Sequence, residues 1–129
     1  MAEAQIVLET SALLAYAQGS EWVGQHLTRA TQDAEDVVVP ALCLAEAYRR
    51  TDSEGWHMLD VLAVHPSVVV APVEQDMCSV LGGWSRKMKT MDLAQAAIEA
   101  AGRPMAPVMT DKPELIREHL PEEWPVVEL

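Results

Sequence analysis

Phenylalanine is absent from this chain, and other aromatic side chains are scarce: four Trp and two Tyr among 129 residues. Leu, Val, Ala and Met must fill the interior, and with 50% of the residues hydrophobic they are numerous enough to do so in one domain spanning residues 1–129. Cysteine is almost as rare. Cys43 and Cys78 stand far apart in apolar surroundings, outside any C-x-x-C pattern. That excludes a disulfide-stapled scaffold, and none of the scattered His26, His57, His65 and His119 pairs with a cysteine at zinc-ligand spacing. Both cysteines are read as buried free thiols in a reducing compartment. No apolar run approaches the ~20 residues that cross a bilayer, and no basic segment precedes an apolar one at the N-terminus, so the expectation is a soluble, cytoplasmic protein. Positive charge is the last shortage. Nine Lys and Arg face 20 Asp and Glu, for a net charge of −11. This argues against broad adhesion to phosphate backbones and favours cationic partners, such as metal ions or a basic protein.

What is present alternates. Residues 5–9, 36–39, 67–71, 106–110 and 125–128 are short, mostly Val- or Ile-rich, and lack apolar/polar alternation, as strands covered on both faces do. Between them, helical patterns cover residues 11–17, 20–32, 41–51, 54–64, 73–83, 91–101 and 113–119. Ser20 is placed to cap the second of these, and Pro40, Pro72 and Pro113 stand at or just before helix starts, where a missing N–H costs nothing. The alternation predicts a three-layer α/β/α fold around a mostly parallel, roughly five-stranded sheet. Ligands of such folds gather at the carboxyl edge of the sheet, near the point where strand order reverses. A Gly-rich loop after the first strand is lacking, which disfavours a nucleotide-binding doubly wound domain.

Four acids fall at that edge. Glu9 ends the first strand and is followed by Thr10-Ser11 and a helix. Glu46 is the sole acid between Val37 and Tyr48, with Arg49 and Arg50 close behind it. Asp92 lies in the first turn of an Ala-rich helix, and Asp111 follows the fourth strand. Each has an ordinary explanation: a half-exposed Glu beside an arginine, or an acid at a helix N-terminus. Right-handed crossovers, however, bring all four edges to one end of the sheet. Two unit charges ~4 Å apart repel by ~4 kcal/mol at an effective dielectric of ~20. A hard divalent cation with oxygen ligands relieves that repulsion.

Taken in order, "IVLETSALLAY", "VVVPALCLAEAYRR", "DLAQAAIEAAGRPMAPVMT" and "TDKPEL" resemble the four signatures of the PIN domain, the fold of VapC-type toxins and related ribonucleases. The resemblance spans residues 6 to about 127. It implies a Mg²⁺- or Mn²⁺-dependent endoribonuclease with RNA as substrate, in which Glu9, Glu46, Asp92 and Asp111 are the catalytic metal ligands. Thr10, Ser11 and Thr110 would orient those ligands or water. A toxin–antitoxin role, a small antitoxin partner and a homodimer also follow from it.

Two positions depart from the family pattern. Glu9 stands where the family carries Asp, adding a methylene to an arm that Mg²⁺ holds tightly. Lys112 stands where the family carries its fourth acid; Asp111 is one place early. An ammonium from Lys112 among the acids would act as a built-in counter-ion, so the alternative is a catalytically degenerate PIN fold that binds protein or RNA. Arg49, Arg50, Arg86, Lys87 and Lys89 bracket the acids as candidate RNA contacts or, equally, as solvated loop charges. Trp84 is a packing residue or a base-stacking one. Leu14, Tyr16, Trp22, Val23 and Leu27 are read as core, with a docking surface as the alternative.

Overall fold

The computed structural model describes residues 5–129. Five strands form one sheet: β1 (Ile6–Leu8), β2 (Val37–Pro40), β3 (Val68–Ala71), β4 (Val108–Thr110) and β5 (Val126–Glu128), in the order β3-β2-β1-β4-β5. Every pairing is parallel, with Ile6 beside Val37, Val7 beside Val108, Val38 beside Val69 and Met109 beside Val127. The chain lays down β1, moves outward to β2 and β3, then returns to the other side of β1 for β4 and β5. Strand order therefore reverses between β1 and β4, and all five carboxyl ends share one edge.

Successive strand residues point to opposite faces. Every residue of β2 and β4 is buried, as are Val7 and Leu8 of β1, so helices cover both faces of the central sheet. The two edge strands are less covered: Val69 and Val70 of β3 are exposed despite their apolar run, and in β5 Val126 and Val127 are half-buried and Glu128 exposed. A strand at a sheet's margin reads the same in sequence as one at its centre.

The helices are α1 (Thr10–Ala17), α2 (Glu21–Gln32), α3 (Ala41–Arg50), α4 (Ser53–Ala63), α5 (Cys78–Met88), α6 (Met91–Ala101) and α7 (Pro113–Ile116). Ser20 caps α2 by accepting from the Val23 amide, and Gly19, at φ +92°, takes the left-handed turn that separates α1 from α2. Three expectations need correction. The helix predicted over 73–83 begins only at Cys78, after a 3₁₀ turn at Gln75–Met77, and runs on to Met88. Arg86 and Lys87 are thus in the last turn of a helix, where cations suit the dipole, and not in a loop. The last helix stops at Ile116. Cys43 is buried as expected but Cys78 is exposed, because the shifted start of α5 puts it at the helix's first residue. No described helix is long and apolar enough to cross a membrane.

Leu13, Leu59, Leu62, Met88, Met109 and Ile116 are the large side chains of the core. Val23 and Leu27 are buried, and Leu14 and Tyr16 pack against the core, leaving Trp22 exposed and edge-on to His26. Trp84 is half-buried, its ring stacked on His119 at 4.6 Å and 8°, which is a packing role.

Candidate functional site

Glu9 leaves β1 in an extended conformation and becomes the N-cap of α1. Its carboxylate is only 1% exposed. Three donors converge on one oxygen, Oε1: the Ser11 amide at 3.2 Å, the Ser11 hydroxyl at 2.5 Å and the Thr110 hydroxyl at 2.7 Å. The Thr110 bond joins the ends of β1 and β4, across the point where strand order reverses. The two hydroxyls accept in turn, Ser11 Oγ from the Asp111 amide at 3.0 Å and Thr110 Oγ1 from the Lys112 amide at 3.0 Å. Glu9 is thus the centre of a small network that seals the crevice between β1 and β4.

Asp92 sits in the first turn of α6, behind the Thr90 N-cap. Thr10, almost fully buried, donates its hydroxyl to Asp92 Oδ2 at 2.5 Å. The buried thiol of Cys43 donates to the Asp92 carbonyl at 3.2 Å. Burial pushes the Cys43 thiol well above its ordinary pKa, and the nearby charges of Glu9 and Asp92 push it the same way. Cys43 is therefore a packed thiol between two carboxylates.

Glu46 projects from α3 into a pocket of about 450 Å³ that it shares with Asp92, Leu42, Ala45, Arg49, Thr90 and Met91. Arg49 grips it with a two-pronged fork, Nε to Oε1 at 2.9 Å and Nη2 to Oε2 at 2.5 Å. That hydrogen bonding holds the Glu46 carboxyl below the usual range, although desolvation and the Asp92 charge act upward. The half-exposed Glu beside an arginine is what the structure shows, and Arg49 faces this carboxylate rather than open solvent alone.

Asp111 lies apart. Its side chain is 51% exposed and pairs with Lys112 Nζ at 2.8 Å. Partial desolvation is the largest single influence and works upward on its carboxyl, but the Lys112 bond and charge, with hydrogen bonds from Ser11 and the backbone, together leave the pKa lowered. The counter-ion role drawn for Lys112 is thus exercised on Asp111, while Arg49 supplies the cation at Glu46. The four acids do not meet as one cluster: among the described residues no three of His, Cys, Asp and Glu form a group able to hold a metal ion. Local donors divert Glu9 and Asp111, and only Glu46 and Asp92 face a common open space. Arg50, Arg86, Lys87 and Lys89 are exposed; Lys89, at φ +82°, precedes the pocket residues Thr90, Met91 and Asp92 in the chain.

The pair nonetheless suits a hard divalent cation. Mg²⁺ is commonly held by one or two carboxylates with water completing its shell. A carboxylate offers about four lone-pair sites, and the Arg49 fork occupies two of those on Glu46. Sequence reasoning missed Gln95, a fully buried amide on α6 that bonds the Leu42 amide at 2.8 Å and the Ala71 carbonyl at 3.0 Å. Its one sequence signal is a polar residue amid the alanines of the buried face of that helix.

No family model, no curated protein and no solved structure matches the chain.

Proposed function

We propose that the chain is a Mg²⁺- or Mn²⁺-dependent endoribonuclease of the PIN type, either toxin-like or free-standing. The supporting observation is that Glu46 and Asp92, remote in sequence, line one open pocket at the carboxyl edge of an all-parallel sheet, with Arg49 beside them. Glu46 and Asp92 would hold the cation. Bound there, it supplies Lewis acidity toward a phosphodiester and a water of lowered pKa. The chain's own groups do the rest. Thr10 fixes the Asp92 carboxylate through its hydroxyl. Arg49 places a guanidinium beside the pocket; its Nε and Nη2 hold Glu46, so Nη1 would be the group to meet a phosphate oxygen. Arg86, Lys87 and Lys89, at the end of α5 just ahead of Thr90–Asp92, would contact the RNA backbone, while Arg50 lines a separate pocket with Asp52 and Glu54. Glu9 joins β1 to β4 through Thr110, and the next residue, Thr10, carries the link to Asp92.

A specific observation favours the second reading, a catalytically degenerate PIN fold that binds protein or RNA. Glu9 directs Oε1 to three internal donors, and Arg49 already neutralises Glu46. One assay separates the two. Structured RNA is incubated with the protein in Mn²⁺, in EDTA, and with Asp92→Asn. The nuclease reading expects cleavage in Mn²⁺ alone and its loss in both other arms. It also expects Mn²⁺ to raise the thermal midpoint, since a ligand at ~100 times its dissociation constant adds ~2.7 kcal/mol. Uncut RNA and an unmoved midpoint would leave the degenerate reading in possession.

A further inference from the structure

The first turn of a helix has amide groups with no partner inside the helix. At α3 this need is acute, because the N-cap is Pro40, which offers no side-chain acceptor. The partner for the Leu42 amide comes from another helix: Gln95 Oε1 of α6, at 2.8 Å. The same amide donates through Nε2 to the Ala71 carbonyl at the end of β3, at 3.0 Å, and lies 3.4 Å from Glu99 Oε2. Glu99 is itself fixed by Arg103 at 2.9 Å. A donor on one side and an acceptor on the other leave the amide a single orientation.

The placement of this bond matters more than its strength. Gln95 is one helical turn after Asp92, and Leu42 is one turn before Glu46. The bond ties the turn of α6 carrying one carboxylate to the turn of α3 carrying the other, and Leu42 itself lines their pocket. We propose that Gln95 is a positioning residue that sets the separation of Glu46 and Asp92. Its consequence for cation binding rests on the metal-site reading above; its consequence for the geometry does not.

The test uses Gln95→Met, which keeps length and burial but removes both hydrogen-bonding groups. Three results are expected. The Leu42 amide exchanges with solvent at least about tenfold faster. The Cα separation of Glu46 and Asp92 in the variant's crystal structure grows by more than ~0.5 Å, the tolerance within which a working site is held. Mn²⁺ affinity, measured by titration calorimetry, falls ~10–100-fold, as for other residues that orient ligands. Leu62→Ala, a core truncation on α4, loses stability but keeps its Mn²⁺ affinity, which separates positioning from general loosening. An unchanged separation overturns the proposal, and so does a widened pair that binds Mn²⁺ as tightly as before. If the parent protein binds no Mn²⁺, the nuclease reading falls and the separation alone decides: widened upholds Gln95, unchanged overturns it. If Gln95→Met does not fold, Gln95→Asn, with the same amide on a shorter arm, carries the same measurements and expectations.

Discussion

Thr110→Val probes the network that closes the crevice between β1 and β4. Valine has nearly the shape of threonine, so at a fully buried site it opens no cavity. It removes two hydrogen bonds: the donation to Glu9 Oε1 at 2.7 Å and the acceptance from the Lys112 amide at 3.0 Å. A bond to a charged group contributes ~1.5–3 kcal/mol and a neutral one ~0.5–1.5 kcal/mol, while the added methyl returns ~0.8 kcal/mol. The net loss is about 1–4 kcal/mol, a large share of the ~5–15 kcal/mol that holds an ordinary domain folded. With ~2.1 cal/mol/K per residue of unfolding entropy over 129 residues, the midpoint falls by about 4–15 °C. Guanidinium chloride unfolding reads the same quantity as a lowered midpoint with an unchanged slope. The decisive arm is a double-mutant cycle. In a Glu9→Gln background the acceptor is uncharged, so Thr110→Val costs less, by ~1 kcal/mol. Equal costs in both backgrounds would refute the placement of the Glu9 charge at the centre of this network, and would return Glu9 to the list of carboxylates available to a cation.

Removing the fork from Glu46 by Arg49→Ala raises the Glu46 carboxyl pKa toward its ordinary value, followed by NMR titration. A carboxyl whose folded pKa is lowered stabilises the fold above its unfolded pKa, and that stabilisation is lost as pH falls through the folded one, so Arg49→Ala flattens the acid limb of the stability profile. At the alkaline end, burial and the hydrogen bond to Asp60 push the Tyr48 hydroxyl from 10.0 up to about 12. That contribution is fully present below pH ~10 and lost as pH rises through ~12, and Tyr48→Phe removes this dependence from alkaline unfolding curves. Lys89 holds a φ of +82° at the end of α5, a conformation that costs a side-chain-bearing residue ~1 kcal/mol. Lys89→Gly is expected to raise the unfolding midpoint, and a lowered midpoint would show that the lysine side chain stabilises this turn.

The class of fold was written in the chain. Short Val-rich runs separated by helical patterns, with capping residues such as Ser20 and Thr90 at their starts, depend on local propensity and on burial from both sides, and both leave marks in one dimension. The positions of Glu9, Glu46, Asp92 and Asp111 at the carboxyl edge followed from the parallel connections alone. Glu46 and Asp111 are claimed by near neighbours in sequence, Arg49 and Lys112, whereas the partners that fix Glu9 across the sheet and Asp92 are distant. Thr110 reaches Glu9 across 101 residues and Thr10 reaches Asp92 across 82, and only the folded sheet brings them within 3 Å. A buried carboxylate accepts whichever donors the fold sets beside it, so the sequence named the acids while tertiary geometry chose which remain open to a cation. The same holds for Gln95, whose two shorter bonds go to Leu42 and Ala71, far off in sequence, and for β3, whose valines were placed at the sheet's margin by topology, not by composition.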